Sequence, residues 1–175
     1  KYEHYIKERN KTLAQRGWES QLSWLGLIED KITQEAIAIN TSRQEAIALM
    51  QNSIDSLDTD FPKANLELSQ LFGKQKVEAS YTDLYKEELL NSRVKDSYSG
   101  RATFGIHRTD FIVSHRVKQR LARLCSTGEQ KALLISIILS SIESILKSTN
   151  SVPILLLDEL FVHLDEERRK QLSDY

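Results

Sequence analysis

The sequence predicts an α/β fold that carries a mainly helical lobe, and three stretches predict it. Leu124-Cys125-Ser126-Thr127-Gly128-Glu129-Gln130-Lys131 is a small-residue turn that opens an apolar helix. Pro153-Ile154-Leu155-Leu156-Leu157-Asp158-Glu159 is an apolar run ending in paired carboxylates, the pattern of a buried parallel strand with acids at its carboxyl end. Upstream of both lies a long four-three apolar seam, which predicts a helical hairpin or arm.

Taken in order, residues 2–16 are helical in pattern, with Tyr2, Ile6 and Leu13 on one side and Gly17 as the stop. Trp18, Leu22, Leu25, Glu29, Ile32, Ala36, Ile39, Arg43, Ala46, Met50, Ser53 and Leu57 then form the seam, with Glu29, Arg43 and Ser53 its polar exceptions. The seam is expected to pack on the 2–16 helix and its neighbours rather than to form a dimeric coiled coil. Asp58-Thr59-Asp60-Phe61-Pro62 ends it.

Residues 64–71 alternate as a short strand with Leu66 and Leu68 on one face, and Gly73-Lys74-Gln75-Lys76 reads as a polar turn. Ser80 caps a helix to about Asp96, with Leu84, Glu87 or Glu88, and Leu90 at helical spacing. After Gly100, Thr103-Phe104 and Phe111-Ile112-Val113 read as strands on either side of a polar segment. A lobe boundary falls near Asp96 to Gly100, dividing the chain into residues 1–97 and 98–175.

At 175 residues and a formal charge of −1, the chain can bury a sizeable core but projects no global field toward a polyanion. Any nucleic-acid surface must be a local patch, and His115, Arg116, Lys118, Arg120 and Arg123 are the basic run available for one. A single cysteine, Cys125, excludes an internal disulfide framework and fits a reducing, cytoplasmic setting. The apolar run from Ala132 to Ile142 is expected to be a core helix, too short to cross a membrane. The chain opens on Lys1-Tyr2-Glu3, which reads as the middle of a helix and gives the appearance of an excised piece.

The chemistry follows from two positions in the pattern. Ser126 and Gly128 stand where a helix begins, so backbone N–H groups without partners and the positive end of the helix dipole can receive an anion. Asp158, emerging from the end of a strand, can hold magnesium, and Glu159 beside it can orient or deprotonate a water. His107, Arg108 and Asp110 form either a polar constellation near a nucleotide or DNA, or a salt bridge that fixes the strand turn. Asp165, with Glu166 and Glu167, suits the first turn of a helix.

The turn resembles the signature motif of ATP-binding-cassette ATPases and the strand resembles their Walker B motif. Within that class the wording from Cys125 to Leu134, Leu156-Leu157-Asp158-Glu159, His163-Leu164-Asp165-Glu166 and Gly105-Ile106-His107-Arg108-Thr109-Asp110-Phe111 is similar to the RecF family of bacterial recombination-repair proteins. That family usually has proline where Ile106 stands. The resemblance implies the C-terminal half of an ABC-type ATPase head with an inserted helical lobe. It implies ATP and magnesium as cofactors, with Ser126, Thr127, Gly128, Glu129 and Gln130 facing ATP held by a second protomer. Asp158 is implied as the metal ligand, Glu159 as the catalytic residue and Asp165 as the D-loop residue at the dimer interface. It further implies a slow ATPase that dimerises on ATP, acts on duplex or gapped DNA with RecO and RecR, helps load recombinase and uses no membrane.

No G-x-x-x-x-G-K-[ST] occurs in these residues, so the phosphate-cradling loop is absent from them and the chain by itself is expected to be inactive. Two other classes stay open on the residues alone: a head fragment of the structural-maintenance-of-chromosomes type, suggested by the seam, and a non-catalytic helical interaction module.

Overall fold

The computed structural model describes residues 1–72, 80–149 and 153–156. Among them are four α-helices: α1 (Tyr2–Leu13), α2 (Leu22–Ser56), α3 (Tyr81–Ser99) and α4 (Thr127–Thr149). Three strands, β1 (Ala64–Leu68), β2 (Phe111–His115) and β3 (Arg120–Leu121), form one antiparallel sheet in the order β1-β2-β3. The chain divides into two compact units, Lys1–Arg43 with Ser69–Asp110, and Gln44–Leu68 with Phe111–Tyr175.

In the first unit α1 stops at Leu13, short of the expected Arg16, and Gly17, in the left-handed region at φ 78°, lets a short 3-10 turn, Trp18–Gln21, lead into α2. The core gathers Tyr2, Ile28, Ile32, Ala36, Tyr85, Leu89 and Ile106. The α2 seam therefore packs on α1 here, as its spacing predicts, and Glu29 is the polar member that joins them. Arg9 of α1, wholly buried, donates from Nε to Glu29 Oε1 at 2.9 Å, and Arg93 of α3 donates from its terminal nitrogen to Glu29 Oε2 at 2.5 Å. Ser80 caps α3 by accepting from Asp83 N, and Gly100 closes it in the left-handed region.

The inward face of α3 is Leu84, Tyr85, Leu89, Ser92 and Asp96, while Leu90 is 51% exposed. Leu90 was expected at the core-facing spacing and is instead replaced there by Leu89, because the buried stripe continues through the polar Ser92 and Asp96. Thr103 and Phe104 are not a strand. The Thr103 backbone N–H and hydroxyl both donate to Asp96 Oδ1, at 2.8 and 2.6 Å, which holds this stretch as a loop. Arg43, another polar seam position, donates to Ile106 O at 3.0 Å and Thr109 Oγ1 at 2.8 Å.

In the second unit α4 is the core helix. Leu57, Phe61, Ala132, Ile135 and Leu139 make one cluster, and Ile54, Ala64, Leu66 and Leu133 another. Each fully buried aliphatic side chain of this kind contributes about 1.5–3 kcal/mol. The last polar seam position, Ser53, meets Ser144 of α4 at 2.9 Å between hydroxyl oxygens. α4 spans 23 residues, and the helix as a whole, unlike the Ala132–Ile142 run within it, is long and apolar enough to cross a membrane. Its buried face, Ala132, Leu133, Ile135, Ser136, Leu139 and Ser140, is that of a core helix.

The outer edge of β1 is closed by a side chain instead of a strand. Gln51 of α2 accepts from Leu66 N at 2.9 Å and donates to Ala64 O at 3.2 Å, supplying the two bonds a neighbouring strand would make. Residues 153–156 are not in a strand: Ile154 and Leu156 are each 89% exposed. The expected buried parallel strand requires neighbours on its edges and cover on both faces, and among the described residues none pairs with it. Leu157, Asp158, Glu159 and Asp165 lie outside the described residues, as does the polar turn at 73–76.

Candidate functional site

Sheet and helix meet at the start of α4. β2 and β3 pair through Ser114 with Leu121 and His115 with Arg120, and the turn between them places Gln119 at φ 48°. A 3-10 turn at Ala122–Leu124 follows, and its end is fixed by Cys125 N donating to Ala122 O at 3.0 Å. Cys125 is buried and free, with its thiol 3.6 Å from Leu121 O. This anchors the residue that precedes the helix.

Ser126 then caps α4 reciprocally with Glu129. Ser126 N donates to Glu129 Oε2 at 2.8 Å, and Glu129 N donates to Ser126 Oγ at 3.4 Å. This is a capping box, a Ser-x-x-Glu pattern visible in the sequence and missed there. Gln130 is tied down twice, its backbone N to Ser126 O and its Nε2 to Cys125 O, both at 2.9 Å. Ser126, Thr127 and Gly128 are exposed, and a side chain at Gly128 would meet nothing within 4 Å. Among the described residues the Thr127 and Gly128 N–H groups have no partner, as the first turn of a helix dictates.

Glu129 itself does not reach outward. Its other carboxylate oxygen pairs with Lys118 Nζ from the β2–β3 turn. Lys118 and the Ser126 backbone together pull the Glu129 carboxyl down to about 2, so it is ionised throughout the ordinary pH range. Of the five residues expected to face a nucleotide, Ser126, Thr127, Gly128 and Gln130 are exposed, and Glu129 and Gln130 hold the turn in shape.

The basic run is not one patch. His115 is buried, Arg116 donates to Asp55 Oδ1 at 2.5 Å and Asn65 Oδ1 at 2.7 Å, and Lys118 is held by Glu129. Arg116 keeps the Asp55 carboxyl below its ordinary range. Arg120 and Arg123 are exposed and, among the described residues, lack an ion-pair partner.

In the first unit, the segment 105–110 is built around Tyr2. Tyr2 Oη lies 3.1 Å from Tyr85 Oη and 3.0 Å from His107 Nδ1, and Ile106 N donates to Tyr85 Oη at 2.9 Å. Ile106 thus supplies a donor that proline lacks. Burial pushes the Tyr2 hydroxyl up and the His107 imidazole down, so both stay neutral near pH 7. Among the described residues no cluster of His, Cys, Asp and Glu could hold a metal, and Asp158 lies beyond them.

No family model matches the chain. Its whole length aligns with the protein described as "DNA replication and repair protein RecF" from Rickettsia bellii (strain OSU 85-389), at 45% identity over 178 residues. The protein of the same description from Rickettsia prowazekii (strain Madrid E) aligns at 44% over 177 residues. The chain spans about half the length of these relatives, 49% in each case. In fold it is similar to the solved recombination mediator RecF-ATP of the RecFOR pathway, with a TM-score of 0.73 at 23% identity, covering 99% of this chain and 48% of that one. The structure described as RecF-ATPrS gives 0.77 at 22%, with the same coverage. Four helices and a small antiparallel sheet therefore make the α/β fold that these solved RecF proteins also have. In sequence as in fold, the chain is similar over its whole length to the RecF proteins.

Proposed function

We propose that this chain supplies the signature-bearing half of a RecF-like, ATP-dependent DNA-binding protein, which dimerises on ATP and helps load recombinase at gapped DNA with RecO and RecR. Residues 1–97 are the inserted lobe in this reading and 98–175 belong to the head. The observation that carries it is the open face at the head of α4. Ser126, Thr127 and Gly128 are exposed there, and Thr127 and Gly128 offer N–H groups without partners among the described residues. Two aimed N–H groups and a helix dipole fit the terminal phosphate of ATP brought by a second protomer.

In this reading Ser126, Thr127 and Gly128 bind that phosphate, while Glu129 and Gln130 keep the turn from collapsing. Asp158 would hold magnesium, whose chemistry is to neutralise charge developing on the phosphates. Glu159 would accept a proton from the attacking water. Asp165 would line the dimer interface. The intact protein is then a slow, cytoplasmic ATPase, and this chain alone binds ATP weakly because it has no phosphate-cradling loop.

Two substitutions in the full-length protein test the division. Glu159→Gln removes the base but keeps the shape, so ATP should accumulate in a trapped dimer. Ser126→Arg places a bulky cation where a partner's phosphate must approach, so the protein should stay monomeric while each protomer still binds ATP. Sizing both with and without ATP decides it, and two variants that dimerise and turn over like the parent would overturn the proposal.

A further inference from the structure

We infer that Lys118 is a positioning residue for the open face of α4, acting through Glu129 to set the carboxylate's direction and cancel its charge. The inference rests on the reading that Ser126, Thr127 and Gly128 meet a partner's nucleotide. An acid three residues after the cap is a problem, because an uncompensated carboxylate repels the phosphate that the helix start attracts. The structure resolves it by division of the carboxylate's two oxygens. Oε2 accepts from Ser126 N at 2.8 Å, completing the capping box, and Oε1 is taken by Lys118 Nζ.

Lys118 can do this because it does not belong to the helix it serves. It sits in the turn between β2 and β3, eleven residues upstream of Glu129, on a sheet fixed by β1. Its backbone N–H points to the buried His115 Nδ1 at 3.4 Å. The side chain is 51% exposed and Glu129 27%, so the pair lies at the surface beside the open face and its removal does not threaten the core. The pair is electrostatic, and salt screens such a pair.

The test uses the full-length protein and a slowly hydrolysed ATP analogue, with dimerisation followed by sedimentation and nucleotide binding to each protomer measured separately. Lys118→Ala should weaken dimerisation about two- to fivefold, the size expected of an exposed ion pair. Binding of the analogue to single protomers should not change. Lys118→Arg should restore dimerisation, and added salt should shrink the Lys118→Ala defect. Glu129→Gln keeps an acceptor for Ser126 N but removes the charge, so Lys118→Ala in that background should have no further effect. Dimerisation of Lys118→Ala equal to the parent would overturn the inference. So would a defect that persists beside Glu129→Gln, since Lys118 would then touch the phosphate directly. Ser126→Arg is run in parallel: if it too dimerises like the parent, the nucleotide-facing reading itself has failed, whereas loss there with no effect at Lys118 rejects only the inference drawn here.

Discussion

Arg9 donates to Asp96 Oδ2 across 2.5 Å with both side chains wholly shielded from solvent. The same guanidinium reaches Glu29 Oε1, Leu89 O and Ser92 Oγ, so one cation of α1 closes the polar faces of α2 and α3. Replacing it with an apolar side chain of similar length leaves two acids buried without it, although Arg93 and Thr103 still reach them. Arg9→Met is therefore expected to destabilise the protein by about 3–5 kcal/mol, read as a shift in urea midpoint.

The same site gives an acid limb to stability. Burial alone would raise the Asp96 carboxyl, but hydrogen bonds from Thr103 and Arg9 outweigh it and hold it below its ordinary value of 3.8. Between the lowered folded value and that ordinary one the unfolded chain binds more protons, so stability rises with pH across the window. The contribution is complete above the ordinary value and is lost as pH falls through the folded one. Urea titrations at a series of acid pH values should show this limb in the parent and a flatter one in Asp96→Asn.

Gly105 adopts φ 146° and ψ 167°, a region that residues with a Cβ rarely enter. An added Cβ would also strike Tyr2 Oη and come within 2.8 Å of the His107 ring. Gly105→Ala should destabilise by about 1–3 kcal/mol from the backbone alone, and by more once the collision is included. Thermal melting of Gly105→Ala with and without Tyr2→Phe checks it. Removing the hydroxyl should recover part of the loss, because the ring contact and the backbone conformation remain.

In the DNA-binding reading proposed above, Arg120 and Arg123 are the residues of the basic run left open to a phosphate, since Arg116 and Lys118 already serve acids of the chain. Arg120→Gln with Arg123→Gln in the full-length protein should lower the salt slope of duplex binding by about 2. Neutralising Arg116 should instead act on stability through Asp55, with little change in slope.

Much of the helical frame was legible because its signals are local. The Ser80 cap, the Gly17 break, the Gly100 stop and the Trp18-to-Leu57 spacing each act within a few residues. The polar seam positions were legible as exceptions but not as partners: Glu29 is answered by Arg9 and Arg93, Arg43 by Ile106 and Thr109, and Ser53 by Ser144. Those pairings depend on which elements lie side by side. The face of α3 was misread for a related reason, since Ser92 and Asp96 hide a buried stripe from any reading of apolar period. At the site, the turn before α4 was visible in its small residues. The Lys118 contact that disarms Glu129 was not, because a strand and a 3-10 turn separate the pair.

The segments of the two units alternate along the chain, so β1 and its partner β2 are far apart in sequence. The two segments of the first unit, 1–43 and 69–110, both precede the second segment of the second unit. Ala64 and Leu66 therefore meet Leu133 from a different segment, and on the side away from β2 the partner of β1 is the Gln51 amide. That one side chain occupies the outer edge of β1 and blocks the edge along which a second chain could add. A glutamine on a helix thus stands guard over a strand's open edge.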